Sequence, residues 1–178
     1  FTREGYVFQG WNVIGDSSVT YADGAVINRT VEQGDVRLQA VWKVLTYSII
    51  YDANGGYGYM GTENVDSGSP HILMFVNYEK DGSSFLEWNT AADGSGRSYE
   101  DRDSIVYKVS GEGESIRLYA IWNPDTITIS FDPNGGTVSR SAKMVEYGEE
   151  CGELPVPKRE GYEFEGWFTG RNGGDQYE

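Results

Sequence analysis

The chain repeats itself after about 80 residues, and this internal repeat restricts its fold more than any other feature of the sequence. The segment 37–42 (RLQAVW) returns one full period later as 117–122 (RLYAIW). The segment 47–56 (YSIIYDANGG) returns after the same interval as 127–136 (ITISFDPNGG). Two separate blocks at one spacing indicate that the chain consists of tandem copies of one structural unit.

A third block, Gly-x-x-Phe-x-x-Trp, occurs three times, at residues 5–11, 82–88 and 161–167. Its Trp comes three residues after its Phe and would face the opposite side of a regular strand. A bulge at Gly10, and at its counterpart Gly166, would return the Trp to the core face. We therefore expect a bulged strand in this block.

The other two blocks show the alternation of β-strands. Ile127, Ile129 and Phe131 alternate with Thr128 and Ser130, the period of two that places one strand face on a core. The Asn-Gly pair that follows in both copies readily adopts positive φ and favours a tight turn. The block at 117–122 (RLYAIW) carries apolar residues on both faces, which predicts a central strand.

The predicted fold class is mostly β, with α+β as the alternative, in tandem units of about 78 to 80 residues. Gly occurs 24 times and Tyr 13 times, a composition that suits strands joined by tight turns. The segment 70–78 (PHILMFVNY) is compatible with a helix or a strand. We expect a short helix there, which keeps the α+β alternative open.

The blocks that end in Trp42 and Trp122 set the expected unit boundaries. Residues 1–42 are then the C-terminal part of one unit, 43–122 form a complete but divergent unit, and 123–178 are the N-terminal part of a third. A unit that lacks a strand leaves a sheet edge unpaired. We therefore expect the incomplete terminal units to allow self-association between copies of the chain.

The charge of the chain excludes one class of partner. Lys and Arg number 14 and Asp and Glu number 28, so the net charge of −14 opposes binding to nucleic acid. The sequence has no apolar run of about 18 residues or more, so we expect no membrane insertion of this stretch. The chain begins at Phe1 without an apolar leader, and we expect it to be part of a longer precursor.

Candidate catalytic residues are few. One His and one Cys cannot form a zinc cluster or a disulfide framework, so we expect no cofactor and no enzymatic activity. We expect His71 to be a solvated residue, because no partner residue for catalysis stands near it in the sequence. Cys151 lies among Glu residues that disfavour a thiolate, although a lone exported Cys can cross-link two copies.

Acidic turns are the only candidates for metal ligands, and we assign none. The segments 52–56 and 132–136 begin like calcium loops but lack the distal bidentate Glu that such loops need. We interpret them as turns. Further carboxylates at 93–103 leave a weak calcium site open as an alternative.

The sequence also carries a family resemblance. The strand and turn at 127–136 and the run 154–167 (LPVPKREGYEFEGW) look like the Listeria–Bacteroides repeat, the family of the internalin B-repeat. The resemblance covers nearly the whole chain, strongly at 1–42 and 123–178 and weakly at 57–80, where the Leu-Pro-x-Pro pattern is absent. It implies a bacterial, extracellular cell-surface module with a β-grasp-like fold, used in stalks and adhesins, and without shared catalytic residues.

We expect a non-catalytic repeat module that serves as a stalk or spacer and as an adhesion or protein-interaction surface. Its partner would be a protein or a glycan at the cell surface. The alternative is a carbohydrate-binding module with Tyr57, Tyr59 and Tyr78 as stacking candidates.

The five Trp residues recur regularly, which favours core positions for them over a sugar-stacking surface. We expect the apolar run 72–75 (ILMF) of the divergent unit to repack the core, with a partner surface as the alternative. Complete burial of its residues would exclude the partner surface.

Overall fold

Strands and turns build the described part of the chain. The structure is a computed structural model that describes residues 1–26, 35–171 and 173–177, and among these it shows sixteen strands and no helix. The predicted mostly β fold class is confirmed. Two compact units divide the chain: unit 1 comprises Phe1–Lys80 and Phe85–Trp122, and unit 2 comprises Asp81–Ser84 and Asn123–Glu178.

The first copy of the repeat forms a three-stranded antiparallel sheet in unit 1 with the order β2-β1-β3. Its strands are β1 (Tyr6–Val13), β2 (Asp16–Tyr21) and β3 (Leu38–Val44). Phe8 pairs with Trp42 whereas Gly10 pairs with Val41, so the register shifts by one residue between them. Gly10 has a φ of 136°. The bulge predicted at Gly10 is confirmed.

The middle copy forms a five-stranded sheet with the order β10-β9-β12-β4-β6. Its strands are β4 (Thr46–Asp52), β6 (Glu63–Asp66), β9 (Ser83–Asn89), β10 (Ser98–Tyr99) and β12 (Ser115–Pro124). The first strand, β4, and the last, β12, lie side by side in parallel, with Ser115 opposite Ser48 and Tyr119 opposite Asp52. The central position predicted for the block that ends in Trp122 is confirmed.

Two short ribbons complete the middle copy. They pair β5 (Tyr57–Gly58) with β8 (Tyr78–Glu79), and β7 (Pro70–Ile72) with β11 (Ser104–Val106). The short helix expected over 70–78 is therefore wrong. The apolar run has no helical period of its own, and its backbone pairs with β11 and with Asp103, whose carbonyl accepts the Leu73 N–H at 3.0 Å.

The core of unit 1 lies mainly on one face of the five-stranded sheet. Alternate residues of β4 are buried, as the period of two predicts. Beside them in the same sheet, β12 buries Leu118 and Ala120, and β9 contributes the fully buried Trp88. The buried apolar residues form one cluster, which also includes Leu73 and Val109 from the loops.

Unit 2 contains the third copy of the repeat in a smaller set of strands. These are β13 (Thr126–Ser130), β14 (Ala142–Glu146), β15 (Trp167–Phe168) and β16 (Gln176–Tyr177). β13 pairs antiparallel with β14, and β15 pairs with β16. Phe131 is the buried apolar residue at the end of β13.

The Asn-Gly turns have the same geometry in both units. Asn54 and Gly55 have φ values of 48° and 85°, and Asn134 and Gly135 have values of 46° and 87°. In both turns the N–H of the next Gly donates to a carbonyl three residues earlier at 2.9 Å. Positive φ at both central residues defines a type I′ turn. The predicted tight turn is confirmed, although the partner strand β6 begins only at Glu63.

Candidate functional site

The ribbon of β5 and β8 brings the three candidate tyrosines together on the middle copy. Tyr57 lies opposite Glu79, and Gly58 lies opposite Tyr78. The side chains of Tyr57 and Tyr59 are 53% and 79% exposed. We expected Tyr78 to be exposed, but it is half-buried. Its hydroxyl donates to the Tyr51 carbonyl at 3.0 Å, and its ring packs on the core. The candidate stacking surface therefore consists of two tyrosines supported by a third.

The apolar run 72–75 presents two residues to solvent and buries one. Ile72 and Phe75 are exposed, Leu73 is buried, and Met74 is half-buried against the core. The guanidinium of Arg102 lies 4.9 Å from the centre of the Phe75 ring, a cation–π distance. The run is not wholly buried, so its role as a partner surface stays a prediction.

A polar network adjoins the run 72–75 and includes His71, for which our expectation is wrong. Its Nε2 lies 3.0 Å from Glu63 Oε1, and both side chains are largely buried. Tyr51 donates its hydroxyl proton to Glu63 Oε2 at 2.7 Å and accepts the Met74 N–H at 3.0 Å. His71 is therefore a half-buried, bonded residue that ties β7 to β6, and not the solvated residue that we expected.

Burial dominates the electrostatics of this network. Desolvation raises the pKa of the Tyr51 phenol well above its ordinary value, and the hydrogen bond to Glu63 raises it further. Burial also raises the pKa of Tyr47 and of Tyr78. These phenols stay protonated at neutral pH and serve as hydrogen-bond donors or apolar rings. Sequence alternation places Tyr51 on the core face, but no spacing in the sequence links it to Glu63 or to His71.

In each copy, the Trp of the Gly-x-x-Phe-x-x-Trp block packs against the Phe of the same block. The Phe and Trp of the repeated block lie 5.2 Å apart at Trp11, 5.1 Å apart at Trp88 and 5.6 Å apart at Trp167. Trp88 is fully buried, and the other four Trp residues are half-buried. The Trp122 indole donates to the Ala53 carbonyl at 2.9 Å. These contacts support the core interpretation, most directly for Trp88.

The carboxylates of Asp52 and Asp93, in two of the acidic turns, bond to other groups of the protein. Asp52 accepts the Asn54 N–H and forms an ion pair with Arg117 at 3.0 Å. Asp93 accepts two hydrogen bonds from Ser95, of which the hydroxyl bond is the main cause of a lowered Asp93 pKa. Within the described ranges, no group of three His, Cys, Asp or Glu side chains is arranged to hold a metal ion. The thiol of Cys151 is exposed.

Comparison with known proteins places these features in one family. The family model of the Listeria-Bacteroides repeat domain matches residues 1–41, 47–121 and 128–178. These three segments contain the three copies of the aromatic block. No solved structure matches the chain at a significant level.

The chain spans about a fifth of the length of two similar proteins from Evansella cellulosilytica. One, named as a Gly-rich membrane protein, is 32% identical over 94% of this chain and 19% of its own length. Another, named as a membrane protein, is 31% identical over 93% of this chain and 23% of its own length. A helix that could cross a membrane does not occur among the described residues. With three matched segments that span most of its length, the chain belongs to the Listeria-Bacteroides repeat family.

Proposed function

We propose that the chain is a non-catalytic repeat segment of a bacterial cell-surface protein, where it acts as a spacer and offers a surface for adhesion. The observation that carries this proposal is the joint between the first two copies of the repeat. A single residue, Leu45, separates β3 from β4, and it is buried. A joint of one buried residue cannot act as a flexible linker.

Backbone hydrogen bonds hold Leu45 from both sides. Its N–H donates to the Gly5 carbonyl at 2.8 Å, and its own carbonyl accepts the Ser67 N–H at 2.8 Å. The Ser67 hydroxyl accepts the Val109 N–H at 3.0 Å, which connects the joint to the core. The first copy of the repeat is thus fixed to the second through buried backbone bonds, as a spacer of defined length requires.

The same bonds recur within unit 2. The Asp125 N–H donates to the Gly82 carbonyl at 2.9 Å, and the Asp125 carbonyl accepts the Tyr147 N–H at 2.7 Å. Asp125 stands one repeat period after Leu45, and Tyr147 stands one repeat period after Ser67. This bonding pattern therefore belongs to the repeat itself, which supports a role that depends on the number of copies.

The proposed location rests on the relatives. The family match and the two membrane-protein names support an extracellular position on a bacterial surface. The non-catalytic role is supported by the match to a repeat-domain family. Labelling of intact cells with an antibody against the chain would test the location, and labelling only after lysis would contradict it.

Distance measurements across the joint test the spacer role. We would place spin labels at Ile14 and Tyr59, both exposed in unit 1, in a chain whose Cys151 is replaced by Ser. The expected result is a single narrow distance distribution, which a Gly-Gly-Ser-Gly insertion after Leu45 broadens. The same insertion after Gly148 in unit 2 is the control and leaves the distribution unchanged. A distribution that is equally broad with and without the insertion at Leu45 would refute the rigid joint.

A carbohydrate-binding role is the second candidate, favoured by the exposed pair Tyr57 and Tyr59. Exposed aromatic rings on a rigid ribbon can stack on sugar faces. On a glycan array, saturable binding to one sugar class would support this role if the double Tyr57→Ala, Tyr59→Ala variant lost it. Tyr162→Ala, at an exposed tyrosine of unit 2, is the matched control. Equal binding by both variants would reject the two tyrosines as the sugar site.

A further inference from the structure

The ribbon of β5 and β8 in the middle copy has an inner face on the core and an outer face in solvent. On the inner face, Met60, Val76 and Tyr78 pack against the core. On the outer face, the rings of Tyr57 and Tyr59 are exposed. Along 75–79 every second residue is exposed, as the period of two requires. The outer face therefore presents aromatic rings to solvent in the complete copy of the repeat.

The second segment of the ribbon adds a ring and a carboxylate to the outer face. Phe75, Asn77 and Glu79 are its exposed residues. Glu79 lies opposite Tyr57. Asn77 donates through Nδ2 to the Tyr59 carbonyl at 3.1 Å, which ties the two segments together beyond the paired residues. Three aromatic rings and one carboxylate thus share the outer face.

A glycine fixes the spacing of the two tyrosines. Gly58, between them, has a φ of 122°, and a Cβ there would lie 2.5 Å from the Asn77 carbonyl oxygen. Only glycine therefore fits between Tyr57 and Tyr59. Residues two positions apart on a strand are separated by about 6.5 Å, and an extended peptide presents its alternate side chains at the same interval. Such a peptide can place one side chain on each ring.

The charged groups around the outer face are mainly acidic. Glu79 lies on it, and the turn 100–103 (EDRD), whose Arg contacts Phe75, carries three carboxylates and one guanidinium. The ammonium group of Lys80 lies over the neighbouring turn, 3.8 Å from the position of a Cβ on Gly55. The chain as a whole has a net charge of −14. The electrostatic field at this face attracts a cationic partner and repels an anionic one.

The chain itself places a cation on one ring of the outer face. The Arg102 guanidinium lies 4.9 Å from the centre of the Phe75 ring, and Arg102 has a φ of 60°, which residues other than Gly, Asn and Asp rarely adopt. Although three carboxylates adjoin it in the sequence, none of the ion pairs among the described residues includes Arg102. Its partner is the aromatic ring, so this face accepts a guanidinium even where carboxylates compete for it.

We propose that the outer face of this ribbon binds an extended, cationic segment of a partner protein, with Arg or Lys at alternate positions. One cation lies on the ring of Tyr57, beside Glu79, and the next lies on the ring of Tyr59. This proposal names a partner for the adhesion surface and in that respect rests on the proposed function. Single cation–π contacts at exposed rings are weak, so the affinity depends on two contacts at the matching interval and on the acidic surroundings.

A sugar is the competing occupant, because exposed tyrosine rings also stack on sugar faces. A neutral sugar gains nothing from the carboxylate of Glu79 or from the net charge of the chain. The guanidinium on Phe75 shows directly that a cation can occupy an aromatic ring of this face. These observations favour the cationic segment.

Titration with synthetic peptides tests the proposal. The probe is Arg-Ser-Arg-Ser-Arg with blocked ends, and its isomer Arg-Arg-Arg-Ser-Ser has the same charge with a different spacing. Binding to the 178-residue chain is followed by NMR chemical shifts at low salt, where surface electrostatics are least screened. We expect saturable binding that is tighter for the alternating peptide, weaker at higher salt and absent for Glu-Ser-Glu-Ser-Glu.

Variants of the two tyrosines separate the ring from the hydroxyl. The double variant Tyr57→Leu, Tyr59→Leu keeps apolar side chains but removes both aromatic faces, and it should weaken binding about fivefold or more. The double variant Tyr57→Phe, Tyr59→Phe keeps the aromatic faces and should bind nearly as well as the parent chain. Glu79→Gln should also weaken binding. Glu149→Gln makes the same charge change at an exposed residue of unit 2 and is the control.

The possible outcomes separate this proposal from its competitor and from the spacer role. Equal affinity of the Leu double variant and the parent chain would overturn the proposal, as would equal binding of the two Arg isomers. Saturable binding of a neutral glycan that the Leu double variant loses, without any binding of the Arg peptides, would assign the face to sugars instead. The spacer role is judged by the distance distribution across Leu45, which none of these variants should change.

Discussion

Trp88 lies with its ring 4.9 Å from the ring of Tyr51, and this pair occupies the centre of the middle copy. Phe85 adds a second ring at 5.1 Å from Trp88. The fully buried indole of Trp88 thus joins strands β4 and β9 across the sheet. The stability of unit 1 should depend on it more than on any other aromatic residue of the repeated block.

Truncation of Trp88 tests that dependence. We expect Trp88→Ala to lower the free energy of unfolding by about 3–5 kcal/mol, measured by chemical denaturation. Trp88→Phe should cost less, because within the described part of the chain the indole N–H has no hydrogen-bond partner to lose. Tyr59→Ala, at an exposed ring, is the control and should change stability by less than about 0.5 kcal/mol. Equal losses for Ala at 88 and at 59 would contradict the central role of Trp88.

The raised pKa of Tyr51 predicts a loss of stability in alkali. Unfolded tyrosines ionise near pH 10, while folded Tyr51 keeps its proton, so the unfolded state releases the proton first. The stabilisation from this group is complete below about pH 10 and falls as the pH rises towards the folded pKa. Tyr51→Phe should therefore show a shallower fall of unfolding free energy between about pH 9 and 11.5.

The exposed Tyr59 provides the matched variant for this pH experiment. Tyr59→Phe removes a phenol hydroxyl at an exposed ring, and its unfolding free energies are compared with those of Tyr51→Phe over the same pH range. Tyr47 and Tyr78 also have raised pKa values, so part of the slope should survive in Tyr51→Phe. A slope that is identical in the parent chain and in Tyr51→Phe would show that Glu63 and burial do not hold this proton.

Two glycines of unit 1 should respond to Ala in opposite ways. Gly10 has a φ of 136°, and a Cβ there would lie 2.5 Å from the Tyr21 carbonyl oxygen. We expect Gly10→Ala to destabilise the first sheet by about 1–3 kcal/mol, measured by hydrogen exchange of the β1 amides. Gly61 has open space around its Cβ position and no positive φ. Gly61→Ala should be neutral or stabilise by up to about 1 kcal/mol. Loss of protection in both variants would disprove the specific role of the bulge.

The paired turn residues Asn54 and Asn134 should also differ in their response to Asp. Asn54 donates through Nδ2 to the carbonyls of Ala92 and Ala120, at 2.8 and 3.0 Å. Asn54→Asp removes both donors and should cost about 1–3 kcal/mol in a denaturation experiment. Asn134 accepts from Arg171 through Oδ1 at 3.1 Å, so Asn134→Asp should be neutral or stabilising. Both variants support positive φ, and equal effects would mean that these side-chain bonds contribute nothing.

Sequence reasoning succeeded where the determining interaction is local. The positive φ values of Asn54 and Asn134 follow from the Asn-Gly pair itself, and the bulge at Gly10 follows from the spacing of its block. It failed at His71, because the partner Glu63 comes from a different strand. It also failed for the helix over 70–78, since the strand that pairs with this run, β11, lies far along the chain at Ser104–Val106.

The candidate tyrosine surface could likewise be predicted from the sequence only in part. The exposure of Tyr57 and Tyr59 follows from polar, glycine-rich surroundings in the sequence. The half-buried state of Tyr78 depends on the Tyr51 carbonyl to which it donates, and only the folded sheet brings the two together. Long-range contacts of this type carry no signature in residue spacing.

The repeated aromatic block separates what the sequence by itself determined from what only the tertiary structure decided. The sequence alone determined the copies, the turns and the Phe–Trp pairs, because each depends on residues a few positions apart. Only the tertiary structure decided where the block becomes a strand. It forms Tyr6–Val13 beside β3 and Ser83–Asn89 beside β12, but in unit 2 only Trp167–Phe168 is strand. A strand has no hydrogen bonds of its own and exists only where a neighbouring strand accepts and donates them.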